Sequence, residues 1–193
     1  MARYRLRKPR LQKCHPALAP LDFTMETLSL IHILLKAGLI KEGFEADAAW
    51  LDALAEIVRP RTKMPADAAT VAAPVFATAE TLAYDEKSVS KGLAKEGMGA
   101  VLDAARTALE AVTDWTAENI DGALEPLPEV LDVKKRLVFG AVRVAECGNM
   151  VSPPLGETMA LIGRDDCLAR IDRARPMALY GCRRCLQDRR PNC

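Results

Sequence analysis

The sequence predicts an all-α fold built from two consecutive helical bundle modules. Half of its 193 residues are apolar but only 5% are aromatic, a composition that favours helices packed on helices over a strand-rich sandwich. Apolar residues also recur at spacings of three and four, which is the repeat of a helix with one buried face. No run of about 18 apolar residues is present, so we expect a soluble, cytoplasmic protein with no membrane partner.

The first module is predicted over residues 34–113. Asp47 is a predicted N-cap, and the residues after it place an apolar side chain on one face at each turn. Pro60 disfavours helical geometry at the residue before it, so that helix ends there. The predicted helices of this module run from Leu34 to near Gly43, from Asp47 to Arg59, from Met64 to Ala73, from Asp85 to about Lys95 and from Ala100 to Val112.

The second module is predicted over residues 114–175. Gly148 suits the left-handed position past a helix end, and Ser152 followed by Pro153 is typical of a helix start. Arg170 and Arg173 are predicted to face outward from the last helix. The predicted helices begin at Thr116, after Asp132, at Ser152 and at Arg164, and they end before Pro126, at Gly148, at Ile162 and at Ala174.

The two ends, residues 1–33 and 176–193, are predicted to be disordered tails. The first is a basic arm in which Pro16 and Pro20 interrupt any helix, and no cleavage site of a targeting peptide follows it. Its residues 28–33 resemble the translation of an adapter used in sequencing libraries, so we expect residues 1–33 to be a joining artefact. We expect the sequence from residue 176 to be frameshifted or vector-derived, and the chain to be a fragment.

The net charge of +1 hides a strong asymmetry along the chain. Residues 34–133 carry nine basic and eighteen acidic side chains, whereas residues 134–175 carry eight basic and five acidic ones. Local charge, not the total, decides whether a surface attracts nucleic acid. The sequence therefore predicts an acidic helical body followed, from residue 134, by a basic segment where contact with nucleic acid is less opposed by charge.

Two sets of residues are candidates for contact with RNA. Arg59 and Arg61 flank a proline at a helix end, from which their guanidinium groups are predicted to project, and arginine is suited to binding a phosphate or a base edge. The second set is Arg143 with the Ser152–Leu155 segment. Arg143 lies about one turn before Gly148, on a different face of its helix from the apolar side chains that are predicted to be buried. The alternative interpretations are plain solvated charge for the arginines and a simple helix start for the Ser152–Leu155 segment.

The cysteines give no complete metal-binding pattern. Cys182 and Cys185 have the spacing of half a zinc knuckle, but no second pair follows and Cys193 is the only further thiol nearby. Six cysteines without other signs of a secreted scaffold indicate reduced thiols. We therefore expect neither a metal site nor a cofactor in this chain.

Short motifs follow one another in a definite order through both modules. The second module contains Asp114-Trp115-Thr116-Ala117-Glu118, Lys134, Arg143-Val144-Ala145, Gly148, Val151-Ser152-Pro153-Pro154-Leu155, Leu161-Ile162-Gly163-Arg164 and Leu168-Ala169-Arg170-Ile171. In order and spacing they resemble the C-terminal anticodon-binding domain of bacterial glutamyl-tRNA synthetase. The first module contains Leu35-Lys36-Ala37-Gly38-Leu39, Trp50-Leu51, Val58-Arg59-Pro60-Arg61 and Tyr84-Asp85-Glu86-Lys87. It is similar to the helical domain that precedes the anticodon-binding domain in the same family. The resemblance covers about residues 34–175.

The resemblance implies that both modules form a cage for the anticodon arm of a glutamate-accepting tRNA. The residues that it assigns to anticodon contact are Arg143, Ser152, Pro153, Pro154 and Leu155, with Arg61 or Arg59 for the first anticodon base. One departure from the family pattern is Glu146, because an acid beside the RNA face is unfavourable.

In this family ATP, Mg²⁺, glutamate and the acceptor end of the tRNA bind an N-terminal Rossmann-type domain. The chain has neither a His-Ile-Gly-His element nor a Lys-Met-Ser-Lys-Ser loop, since Lys63-Met64-Pro65 and His32-Ile33 are only partial echoes. We therefore expect a monomeric C-terminal fragment of a glutamate–tRNA ligase that does not aminoacylate tRNA alone. A freestanding trans-acting tRNA-binding module and an inert helical interaction protein stay open as alternatives.

Overall fold

The described part of the chain is entirely helical, which confirms the predicted fold class. A computed structural model describes residues 25–41, 47–62 and 65–180, and it contains no strand in these ranges. None of the described helices combines the length and apolar character needed to cross a bilayer. The helices are α1 (Met25–Lys36), α2 (Ala48–Val58), α3 (Pro65–Phe76), α4 (Glu86–Gly92), α5 (Met98–Glu110), α6 (Ala117–Leu124), α7 (Leu127–Val130), α8 (Lys135–Cys147), α9 (Leu155–Ile162) and α10 (Arg164–Tyr180), with a 3-10 turn at Arg59–Arg61.

Several helix ends form as their local sequence predicts. The side chain of Asp47 accepts a hydrogen bond from Ala49 N at 3.1 Å, which caps α2. Thr116 caps α6 in the same way through Asn119 N, at 3.3 Å. Gly148 ends α8 with a φ of 74°, the left-handed region that glycine adopts without steric cost. These caps are satisfied within a few residues, so no distant contact is needed to specify them.

Two helices extend past prolines that were predicted to end or follow them. Pro74 lies inside α3 and Pro176 lies inside α10. Both helices continue because the residues beyond these prolines pack into the interior, as Val75 is 9% exposed and Ala178 is 7% exposed. The predicted disorder is therefore wrong for residues 176–180, whereas residues 181–193 lie outside the described residues.

The predicted disordered arm is also wrong at its C-terminal end, because residues 25–33 belong to α1. Leu30 and Leu34 lie one helical turn apart, are 6% and 0% exposed, and pack into the same apolar cluster. Burial of these two side chains gives the segment a reason to be helical. Residues 1–24 lie outside the described residues, and the adapter origin of residues 28–33 stays a prediction.

The buried apolar side chains form two clusters in the described part of the chain. The first extends from Leu30 to Val75 on α1–α3 and the turns between them, and Leu161 of α9 packs against it. The second extends from Val89 to Ala178 on α4–α10. The clusters divide after α3, whereas the predicted modules divide after residue 113, because α5 packs against α6, α8 and α10. The module boundary itself stays a prediction.

Helix α9 connects the two clusters through two tryptophan side chains. Trp50 Nε1 donates a hydrogen bond to the carbonyl of Leu161 at 3.3 Å, and Trp115 Nε1 donates to the carbonyl of Met159 at 2.9 Å. One tryptophan comes from α2 and the other precedes α6, so the backbone of α9 is held from both sides. The C-terminal part of α9 is therefore bonded to the first turn of α2 and to the segment that precedes α6.

Arg170 is completely buried, although its position in α10 was predicted to face outward. Its guanidinium group donates to the carbonyl of Glu146 at 2.6 Å and to the carbonyl of Ala77 at 2.5 Å. Arg173 is half-buried and donates to the carbonyl of Leu82 at 2.9 Å. Both predictions fail for the same reason: the connector between α3 and α4 covers this face of α10 and offers carbonyl groups that need donors.

Arg170→Ala should destabilise the fold by roughly 2–5 kcal/mol, because it leaves two buried carbonyl groups unpaired and creates a cavity. Urea denaturation followed by circular dichroism measures this loss. Arg136→Ala removes an exposed arginine from α8 and serves as the control, with an expected change within about 0.5 kcal/mol. Equal stability of the two variants would contradict the structural role of Arg170.

Candidate nucleic-acid interface

Arg59 and Arg61 project from the end of α2, as the sequence predicts. They form a 3-10 turn with Pro60 between them, and both arginines are exposed. The turn is closed by Thr62, whose backbone N–H donates to the carbonyl of Arg59 at 3.2 Å and whose hydroxyl donates to the carbonyl of Val58 at 2.8 Å. The side chain of Arg61 thus extends from a hydrogen-bonded turn and lines the space between α2 and α9.

A groove of about 660 Å³ lies between the end of α2 and the start of α9. Arg61 lines it from one side and Pro154 from the other, so two residues predicted from separate modules come together here. Alanine, isoleucine and leucine side chains provide an apolar lining, and three charged side chains accompany them. The lining residues are Ala53, Glu56, Ile57, Pro60, Arg61, Ala117, Pro154, Glu157, Ala160 and Leu161.

The other members of the predicted Ser152–Leu155 segment, here called the proline loop, are turned inward. Ser152 is 5% exposed and its hydroxyl donates to the carbonyl of Pro153 at 3.1 Å, so it does not cap α9 as predicted. Pro154 occupies the N-cap position, without a side-chain hydrogen bond. Pro153 and Leu155 are buried, with Leu155 packed in the second cluster. Only Pro154 of this segment, and Val151 just before it at 83% exposed, present their side chains to solvent.

Arg143 lies on α8, outside the groove. It is half-buried, and its Nε atom is buried without a hydrogen-bond partner among the described residues. It stands one turn before Cys147, at the end of α8 that leads into the proline loop. Arg61 and Pro154 therefore line the same groove, whereas neither Arg143 nor Arg59 lines it.

The turn after α8 is docked on the segment that precedes α4. The carbonyl of Gly148 accepts a hydrogen bond from Asp85 N at 2.9 Å. The backbones approach so closely that a Cβ atom on Gly148 would lie 2.0 Å from the carbonyl oxygen of Ala83. Tyr84 adds a hydrogen bond from its hydroxyl to the carbonyl of Ala145 at 3.1 Å. Gly148 is therefore required here both for its φ and for its lack of a side chain.

The loop that follows Gly148 is ordered by its own polar side chains. Asn149 Oδ1 accepts a hydrogen bond from Val151 N at 2.9 Å, which makes an Asx turn. Met150 N donates to Ser88 Oγ at 3.1 Å, and this bond ties the loop to α4. The exposed valine is thus carried by a loop with defined contacts. The sequence predicted the helix end at Gly148 but not this network, because Ser88 is 62 residues away.

Gly148→Ala should lower stability more than Gly97→Ala, since the two glycines have similar φ angles of 74° and 82° but different surroundings. Nothing in the described part of the chain lies within 4 Å of a Cβ on Gly97, so that variant reports the cost of the left-handed backbone alone. We expect roughly 1–2 kcal/mol for Gly97→Ala and a further loss of about 1–3 kcal/mol for Gly148→Ala. Chemical denaturation measures both, and equal losses would show that the Ala83 contact is unimportant.

Glu146 lies in the interior and is neutral at neutral pH, so the unfavourable charge expected from its sequence position does not arise. It is 0% exposed, and burial raises the pKa of its carboxyl group from 4.5 to about 8, with the nearby Arg170 acting in the opposite direction. Neither carboxyl oxygen forms a hydrogen bond with a nitrogen or oxygen donor of the described residues. Burial also raises the pKa of the neighbouring Cys147 thiol to about 11. Both groups are therefore neutral near pH 7.

Thermal stability should fall with rising pH because of Glu146. The pKa of its carboxyl group is about 8 in the folded state, against an ordinary value of 4.5. The folded state therefore holds an extra proton between these two pH values. Stability decreases as the pH rises through that window and is flat on either side of it.

Glu146→Gln should flatten this dependence, because glutamine resembles the neutral acid. The melting temperature of the unmodified chain should fall relative to the variant between about pH 5 and about pH 8, by roughly 2–4 °C for each 1 kcal/mol. Glu129→Gln, at an exposed position on α7, is the control. Parallel melting curves for the unmodified chain and Glu146→Gln would contradict the raised pKa.

No group of three or more potential metal ligands occurs among the residues that the structure describes. Cys147 and Cys167 are buried free cysteines. The half-knuckle pair Cys182 and Cys185 lies outside the described residues, together with Cys193.

Comparison with known proteins gives a consistent result. A family model described as an anticodon binding domain matches residues 11–175, a longer range than the resemblance predicted from residue 34. The chain is 43% identical over 162 residues to a glutamate–tRNA ligase of Mycolicibacterium smegmatis, covering 82% of the chain and 31% of that protein. It is 43% identical over 127 residues to the glutamate–tRNA ligase of Corynebacterium diphtheriae, covering 65% of the chain and 25% of that protein.

A solved structure shares the fold at low sequence identity. A glutamate–tRNA ligase from Elizabethkingia meningosepticum superposes with a TM-score of 0.66 at 18% identity, over 81% of this chain and 30% of that one. The chain thus spans about a third or less of the length of the relatives that it matches.

Proposed function

This chain belongs to the anticodon-binding domain family, and we propose that it recognises the anticodon arm of a glutamate-accepting tRNA as part of a glutamate–tRNA ligase. The observation that carries the proposal is the groove that is lined both by Arg61, after α2, and by Pro154, before α9. Both residues were candidates for RNA contact on sequence grounds alone.

The groove has the features needed to hold an unstacked base. Single-stranded RNA is recognised by bases that leave the stack, lie against flat or apolar side chains and present their edges to polar groups. Pro154, Ile57 and Leu161 offer apolar surface, while the guanidinium group of Arg61 offers several donors in one plane. We infer that a loop base enters between the end of α2 and the start of α9.

The remaining predicted residues receive different parts in this proposal. Arg143 has a buried Nε atom without a partner in the described ranges, and it lies in the helix that ends at Gly148. It is therefore a candidate for contact with a second base or a phosphate. Arg59 is exposed at the same turn as Arg61 and extends the positive surface. Ser152, Pro153 and Leu155 are buried and act through the position that they give to Pro154 and Val151.

The parent reaction is the ATP-dependent attachment of glutamate to tRNA. We propose that ATP, Mg²⁺ and glutamate act outside this chain, which binds no cofactor of its own and does not aminoacylate tRNA alone. The monomeric state and the cytoplasmic location stay predictions.

Binding of an anticodon stem-loop tests the proposal directly. Fluorescence titration at about 50 mM and about 200 mM salt should show binding that weakens with salt, as expected when arginine and lysine neutralise phosphates. Arg61→Ala and Arg143→Ala should each weaken binding by about 1–3 kcal/mol if each residue contacts a base edge.

Arg136→Ala provides the matched control, because it removes an exposed positive charge at a position outside the groove. An equal loss in all three variants would indicate attraction by general charge, without specific contact. Complete absence of binding at both salt concentrations would contradict the proposed function and would leave an inert helical protein.

A further inference from the structure

The groove contains two carboxylate groups that no residue in the described part of the chain neutralises. Glu56 lies on α2 beside Arg61, and Glu157 lies in the first turn of α9 beside Pro154. Within residues 25–41, 47–62 and 65–180, none of these three charged side chains has a hydrogen-bond or ion-pair partner. The two helices thus bring two acceptors and one multiple donor to the same groove, and no other described residue bonds to any of the three.

The charge of the groove argues against a phosphate as its occupant. Arg61 contributes one positive charge and the two glutamates contribute two negative ones, so the lining is net negative at neutral pH. A phosphate group near Arg61 would also be repelled by two carboxylates. A neutral base avoids this repulsion, and its faces match the apolar lining. The glutamates then become hydrogen-bond acceptors for the edge of that base.

The backbone next to Glu157 is packed tightly against α6. A Cβ atom on Gly156 would lie 2.7 Å from the carbonyl oxygen of Ala117 and 2.7 Å from Asp121 Oδ1. The first turn of α9 therefore packs against α6 with no space for a side chain at position 156. A carboxylate in the first turn of a helix is also favoured by the partial positive charge of the helix N-terminus.

We propose that Glu56 and Glu157 determine base specificity by selecting a base with an exocyclic amino group, and cytosine over uracil among the pyrimidines. A carboxylate accepts a hydrogen bond from the N4 amino group of cytosine. Arg61 donates to the oxygen and ring nitrogen acceptors on the same edge. Uracil of the same shape places a carbonyl oxygen where the amino group would be, so it loses the bond and brings two acceptors together. This inference rests on the proposed function.

Pairs of stem-loops that differ only by cytosine or uracil at one anticodon position test the proposal. The unmodified chain should prefer cytosine at one position by roughly ten-fold or more in Kd. Glu56→Ala and Glu157→Ala are the test variants, and a fall of that preference to about two-fold in either one supports the proposal. Glu157→Gln keeps one acceptor oxygen without the charge and should retain part of the preference.

Glu129→Ala is the control, since it removes an exposed carboxylate at a position that does not line the groove. Melting temperatures of all variants establish that the fold is kept. Binding with no preference, or with a preference unchanged in both Glu56→Ala and Glu157→Ala, would overturn this inference alone. Failure of the unmodified chain to bind any stem-loop would overturn the proposed function and the inference together.

Discussion

The guanidinium group of Arg170 joins three parts of the chain through buried and half-buried hydrogen bonds. It extends from α10 and binds the carbonyl of Glu146 at the end of α8 and the carbonyl of Ala77 at the end of α3. The connector that begins at Ala77 then docks on Gly148, which fixes where the proline loop leaves α8. The position of Pro154 in the groove therefore depends on a buried cation that does not itself line the groove.

A buried positive charge is costly unless its surroundings compensate for it, and backbone carbonyl groups provide most of that compensation here. The carbonyl of Glu146 lies in the last turn of α8, where the helix dipole places partial negative charge that stabilises a cation. The carboxyl group of Glu146 is neutral near pH 7, because its pKa is raised to about 8. Arg170 thus bonds to the main chain of Glu146, and the side chain of Glu146 adds no negative charge beside it at neutral pH.

Sequence reasoning succeeded where the physical cause was local. A few neighbouring residues decide the caps at Asp47 and Thr116 and the left-handed conformation of Gly148. The exposed position of Arg61 after the end of α2 also has a local cause. It failed where a distant segment decides. Arg170 was assigned to the surface because charged residues are rarely buried, and nothing near it in sequence reveals the connector that covers it. The pairing of Arg61 with the proline loop likewise needs the packing of α9 on α2.

The groove lies between elements that belong to different apolar clusters, and this determines how a bound base would act on the fold. Leu161 of α9 lines the groove, and its carbonyl accepts a single hydrogen bond of 3.3 Å from Trp50 of α2. A base that bonds Arg61 on one side and Glu157 on the other would add further connections between the same helices. Because a ligand stabilises the arrangement that binds it, RNA should hold the two clusters together most strongly where the unbound chain has few polar bonds between them. Recognition of a base in this groove and a firmer connection between the two clusters would in this way both follow from the contact between α2 and α9.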